Sequence, residues 1–113
     1  MPFINIITNV EVNADKADRI KSALGLAVTA IPGKSEGWLM VGIEDNYKLY
    51  FRGTDEPAAM VQVNLYGKAS SNSMGVLTSN ITGILFDNLG ISTDRIYVSY
   101  MATDDWGWNG NNF

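Results

Sequence analysis

Acid–base and nucleophilic chemistry in this chain must do without its two commonest agents, since the sequence contains no histidine and no cysteine. That removes Ser-His-Asp triads, imidazole bases, thiolate nucleophiles, disulfides and cysteine zinc sites together. A carboxylate, a lysine, a tyrosine or an α-amine remains as the proton-transfer group. Asp104-Asp105, just ahead of Trp106, reads as a solvated turn rather than an acid–base pair, and no metal is expected. Tyr97 and Ser99 lie two apart in a strand-like segment and share a face opposite Ile96, Val98 and Tyr100. Taken alone, Tyr97 is a half-buried sheet tyrosine and Lys34 a solvated loop lysine. Pro2, taken alone, is a residue small enough to follow a trimmed initiator Met. Asn80-Ile81-Thr82 spells a glycosylation sequon, but inside a helical segment.

Composition narrows the partners. The 113 residues suit a single domain spanning 1–113, with one core. A hydrophobic fraction of 46% and a charged fraction of 18% are those of a folded protein. A net charge of −4 with a pI near 4.5 argues against nucleic-acid or anionic-membrane surfaces, which need clustered Lys and Arg. A small ligand or a protein partner remains. The start lacks a basic region, and no apolar run approaches the roughly 18 residues of a membrane span. A cytoplasmic location is expected, and secretion without a signal peptide is compatible with it.

The elements that must hold these groups follow from periodicity. Phe3 to Val10 reads as a β-branched strand. A helix follows, N-capped by Asn13, with Ala17, Ile20, Leu24, Ala27 and Ile31 at helical spacing before Pro32-Gly33. Trp38 to Glu44 is a second strand, Tyr47 to Phe51 a short alternating segment, and Gly53 to Pro57 a loop. The second half repeats the order. Ala58 to Tyr66 is a strand, Ser71 to Ser73 offer caps for a helix carrying Leu77, Ile81, Ile84 and Leu85, Gly90 ends it, and Arg95 to Met101 is a strand.

Two βαβ pseudo-repeats with right-handed crossovers make an α/β (α+β) fold, a four-stranded mixed sheet with two helices on one face. Trp38–Ile43 and Ala58–Leu65 read as apolar on both alternating sets, so the bare face calls for cover by oligomerisation. The tail from Trp106 to Phe113 sets large aromatics among Gly and Asn. A neighbouring subunit is its natural home; folding back on its own domain is the alternative.

The segments Pro2-Phe3-Ile4, Thr8-Asn9-Val10, Gly33-Lys34, Glu56-Pro57, Gly67-Lys68, Asp94-Arg95-Ile96-Tyr97 and Gly107-Trp108-Asn109 with Phe113 are collinear over the whole chain. In this order and spacing the chain resembles the macrophage migration inhibitory factor and D-dopachrome tautomerase family. The resemblance implies a homotrimer with active sites between subunits. It further implies a keto–enol tautomerase acting on small aromatic 2-oxo acids such as phenylpyruvate, without a cofactor. The base would be Pro2, freed as a secondary amine by removal of Met1. An ordinary α-amine titrates at roughly 7.7–8.0 and needs a desolvating pocket to become a good base at neutrality.

The same resemblance assigns Lys34 to the substrate carboxylate, the Tyr66 main chain to substrate binding, and Tyr97, from across the interface, to the pocket. Phe3, Trp38, Trp106, Trp108 and Phe113 would wall it. Tyr66 stands where the family usually has Ile, and Ser99 where it usually has Asn, changes that bear on specificity. Ala58-Ala59-Met60-Val61 replaces the Cys-x-x-Cys of some members, which excludes thiol–disulfide activity. The other reading of the same fold is a cytokine-like signalling or ligand-binding trimer with a vestigial proline pocket and a protein receptor.

Overall fold

A computed structural model describes residues 1–113. β1 (Pro2–Thr8) leads to α1 (Ala14–Ala27) and β2 (Met40–Glu44); β3 (Ala59–Tyr66) leads to α2 (Ser71–Leu89) and β4 (Ile96–Thr103). A short hairpin, β5 (Gly107–Trp108) and β6 (Asn111–Asn112), ends the chain. The sheet order is β2-β1-β3-β4. β1 runs parallel to β2, β3 runs parallel to β4, and the two repeats meet antiparallel between β1 and β3. This is the expected mixed sheet.

Both helices cover one face. Ile4 and Ile6 of β1 and Val61, Val63 and Leu65 of β3 are buried against Ile20 and Leu24 of α1 and Leu77, Ile81 and Leu85 of α2. Each such side chain, fully removed from water, is worth about 1.5–3 kcal/mol. Asn13 caps α1, its side chain accepting from Lys16 N at 2.9 Å. Gly90, at φ 67°, closes α2 in the left-handed conformation that favours glycine.

Several boundaries differ from the sequence reading. β1 ends at Thr8 because the Asn9 side chain leaves the ladder, donating to the carbonyls of Leu49, Asp55 and Glu56 and accepting from Ala58 N. α1 stops at Ala27 and tightens into a 3₁₀ turn, Val28–Ala30, before Pro32. Trp38 closes a 3₁₀ turn, Glu36–Trp38, instead of opening β2. The α2 cap is Ser70, which accepts from Ser73 N. Tyr47–Phe51 joins no sheet, since only a bridge from Phe51 to Thr54 is made.

The uncovered face is mixed rather than apolar on β3. Its outward set is Met60, Gln62, Asn64 and Tyr66, and Asn5 on β1 donates to Glu44 and Gln62 across the strands. Exposed Met40, Tyr97 and Met101 lie on the same face. The tail takes the second of its two courses within this chain, folding back on its own domain while Trp108 and Phe113 remain about half exposed.

Candidate active site

At the head of β1 the antiparallel ladder pairs Pro2 with Leu65, and Tyr66 N donates to Met1 O at 3.1 Å. Pro2 is buried. Gly33, at φ 81°, makes the turn after α1 that returns the chain here, and only glycine adopts that conformation without strain. Lys34 follows it, and its Nζ donates to Tyr66 O at 2.7 Å. The Met1 α-amine at this corner is pushed down from 8.0 to about 6. Desolvation is the largest cause, followed by a hydrogen bond and charge repulsion from Lys34. The Met1 amine is therefore more readily neutral near pH 7 than an ordinary α-amine.

An aromatic wall stands beside it. Trp38 meets Trp108 edge to face at 5.0 Å, Trp108 stacks on Phe113 at 6.5 Å, and Phe113 lies 5.0 Å from Tyr66. Lys34 Nζ sits 5.8 Å from the centre of the Tyr66 ring. The hairpin sets these rings. Asn109 (φ 54°) and Gly110 (φ 82°) both adopt the left-handed conformation of a type I′ turn, and Phe113 N donates to Trp106 O at 3.0 Å to close it.

The structure thus brings Lys34, Tyr66, Trp38, Trp108 and Phe113 to the Pro2 end of the sheet, and other expected residues elsewhere. Phe3 points to the uncovered face, opposite Met40 and Asn64, because it is one residue out of phase with Pro2. Trp106 enters through its backbone carbonyl, and its ring pairs with none of the others. Tyr97 pairs with Met60 near the other end of β3, and Ser99 pairs with Gln62 in its middle. Met60 and Leu65 are five positions apart, so Tyr97 lies roughly 17 Å along the strands from Pro2.

Two groups near Tyr97 are assigned no site role by the sequence. Phe51 meets the Tyr97 ring edge to face at 5.0 Å, and Arg95, 9% exposed, donates to four loop carbonyls. The largest cavity, about 560 Å³, also lies on this side between Arg52, Glu56, Asp94 and Arg95. Its charges are already paired, Arg52 with Asp94 at 3.2 Å. Size alone is a poor guide here, because the amine and the wall lie at the opposite end. Asp104 and Asp105 are exposed on the bend before the hairpin, and no three acidic residues converge into a metal-binding cluster. No helix is long and apolar enough to cross a membrane.

Comparison with known proteins agrees with this fold. The family model for macrophage migration inhibitory factor (MIF) matches residues 1–113. Macrophage migration inhibitory factor of Mus musculus is 30% identical, covering 100% of this chain and 99% of its own length. A macrophage migration inhibitory factor homolog of Trichuris trichiura is 31% identical, with both chains covered in full. The crystal structure of Leishmania major MIF2 superimposes with a TM-score of 0.94 at 33% identity, covering 100% of this chain and 97% of that one.

Proposed function

The chain belongs to the macrophage migration inhibitory factor family, hence to the tautomerase superfamily and, coarsely, among isomerases; from that premise we propose that it is a keto–enol tautomerase for phenylpyruvate-like 2-oxo acids, with the Pro2 nitrogen as base. The observation that carries the reading is the depressed α-amine at the head of β1, set between Lys34 and the aromatic wall. Loss of Met1 makes Pro2 N the α-amine of the same corner. It also breaks the last ladder bond, freeing Tyr66 N–H as a donor beside the base.

The steps follow from these groups. The substrate carboxylate docks on Lys34, the Tyr66 N–H stabilises an oxygen, and the aryl group lies on Trp108 and Phe113. Neutral Pro2 N takes the enol proton, and the resulting ammonium returns a proton to the adjacent carbon, giving the ketone. Protons balance within one cycle, so no cofactor is needed.

The family is typically homotrimeric, and the separation of Tyr97 from Pro2 favours that assembly here, because a neighbouring copy can bring Tyr97 to the base. The deciding experiment is an enol-to-keto assay with phenylpyruvate on Met1-free protein beside Pro2→Gly. Turnover that Pro2→Gly abolishes supports the reading. Absence of turnover in the trimmed protein leaves a cytokine-like or ligand-binding trimer with a vestigial pocket.

A further inference from the structure

We propose that Arg95 is a positioning residue for the site, fixing the Tyr97 ring through the ring of Phe51; the proposal rests on the reading that Tyr97 walls the pocket of a neighbouring copy. The segment between β2 and β3 has little secondary structure to order it. It makes a single bridge, Phe51 to Thr54, and bends through left-handed residues at Asn46, Arg52 and Gly53. Side chains order it instead. Asn9 binds three of its carbonyls from one side, and Arg95 binds from the other.

Arg95 is the one charged residue buried in the chain. Its Nε donates to Pro57 O at 2.9 Å, Nη1 to Phe51 O at 3.1 Å, and Nη2 to Thr54 O at 3.3 Å and Glu56 O at 3.0 Å. The Glu56 carboxylate is 4.0 Å away and its side chain 72% exposed, so the planar fork rather than an ion pair holds the loop.

The same guanidinium lies 5.2 Å from the Phe51 ring centre, and that of Arg52 lies 5.1 Å from it. Phe51 is thus held by its carbonyl and by its ring. Phe51 in turn meets Tyr97 at 5.0 Å and 71°. Within its own chain Tyr97 is 61% exposed, and an apolar cavity of about 200 Å³ lies between Leu49, Phe51, Met60 and its ring. If Phe51 shifts, the Tyr97 ring has room to follow it.

A double-mutant cycle on Met1-free protein tests this, using Arg95→Lys, Phe51→Leu and Tyr97→Ala, with subunit mass and circular dichroism confirming assembly. Lysine keeps the charge and loses the fork. Arg95→Lys and Phe51→Leu should each raise KM for phenylpyruvate about tenfold with an unchanged pH profile, and have under about twofold effect in the Tyr97→Ala background. Equal losses in both backgrounds would make Arg95 merely structural and overturn the proposal. If Arg95→Lys does not fold, Phe51→Leu carries the cycle, because it leaves the carbonyl bonds intact. Wild-type kinetics in Phe51→Leu overturn the relay alone; wild-type kinetics in Tyr97→Ala overturn the reading of Tyr97 and the relay with it. A direct readout is ¹⁹F NMR with 3-fluorotyrosine, the Tyr97 signal being assigned by its loss in Tyr97→Phe. That resonance should move to an averaged shift in Phe51→Leu, and an unmoved line overturns the relay.

Discussion

An ammonium group beside Lys34 is penalised by desolvation and by a like charge, and the neutral amine alone can accept a hydrogen bond from Lys34. The sign follows for Pro2. Below its pKa the base is occupied by a proton, so kcat/KM for Met1-free protein should rise with pH and level off. The apparent pKa should fall below the ordinary α-amino range of roughly 7.7–8.0, near the value of about 6 for the Met1 amine. With Met1 attached, Pro2 N is an amide without a basic lone pair, and folded protein of that mass should be nearly inactive by the same assay. Lys34→Ala removes the carboxylate anchor together with the like charge and the hydrogen bond that depress the amine. KM for a carboxylated substrate should rise about 10- to 100-fold, a charged hydrogen bond being worth about 1.5–3 kcal/mol, while an ester analogue is much less affected. The pH profile should move upward only in part, because desolvation remains as the larger cause. Equal losses for acid and ester would assign Lys34 to folding. Lys34 and Arg95 both stand in the collinear match, but only Lys34 takes a site role from it; the role of Arg95 could not be read, since the carbonyls that define it lie 38 to 44 residues back in the chain.

Elements whose partners lie within the chain were legible, and those without such partners were not. The β-branched run of β1, the Asn13 cap and the Gly90 stop each carry a local reason, and the fold keeps them. Tyr47–Phe51 alternates like a strand, yet no sheet edge of this chain pairs with it. The period was right and the pairing was missing. Trp38 misled for the opposite reason: its aromatic character suits a strand, but the 3₁₀ turn after Ser35 turns it toward Trp108. Asn109-Gly110 is a strong local hairpin signal, and it folds the Gly- and Asn-rich tail into β5 and β6. α2 carries a different mark, two glycines inside a helix. A Cβ at Gly75 or Gly83 meets nothing within 4 Å, and neither has a positive φ. Gly75→Ala and Gly83→Ala should therefore each stabilise the protein by about 0.5–1 kcal/mol, read as a rise of a few degrees in Tm at fixed protein concentration. A fall in Tm would show that this face of α2 packs against something larger than solvent.

At the scale of the whole molecule, the sheet places the two halves of the proposed site at opposite ends, and one chain cannot close that gap without unfolding. Pro2, Lys34 and the aromatic wall belong to one end; Tyr97, Phe51 and Arg95 belong to the other. Light scattering after size exclusion should accordingly give three times the 12.4 kDa subunit. Mass alone does not show a shared site, but subunit mixing does. Pro2→Gly lacks the base and keeps Tyr97, whereas Tyr97→Ala keeps the base and lacks the ring. Each variant alone should have low kcat/KM in the phenylpyruvate assay. Mixed trimers from co-expression of the two should regain activity wherever a Tyr97→Ala chain supplies Pro2 to a Pro2→Gly chain that supplies Tyr97. In a cyclic trimer with random assortment that is about a quarter of the sites. Restoration toward that fraction requires both halves to come from different chains. If co-expressed trimers, shown by mass to be mixed, are no more active than the average of their parents, each chain must complete its own site, and the arrangement across subunits is wrong.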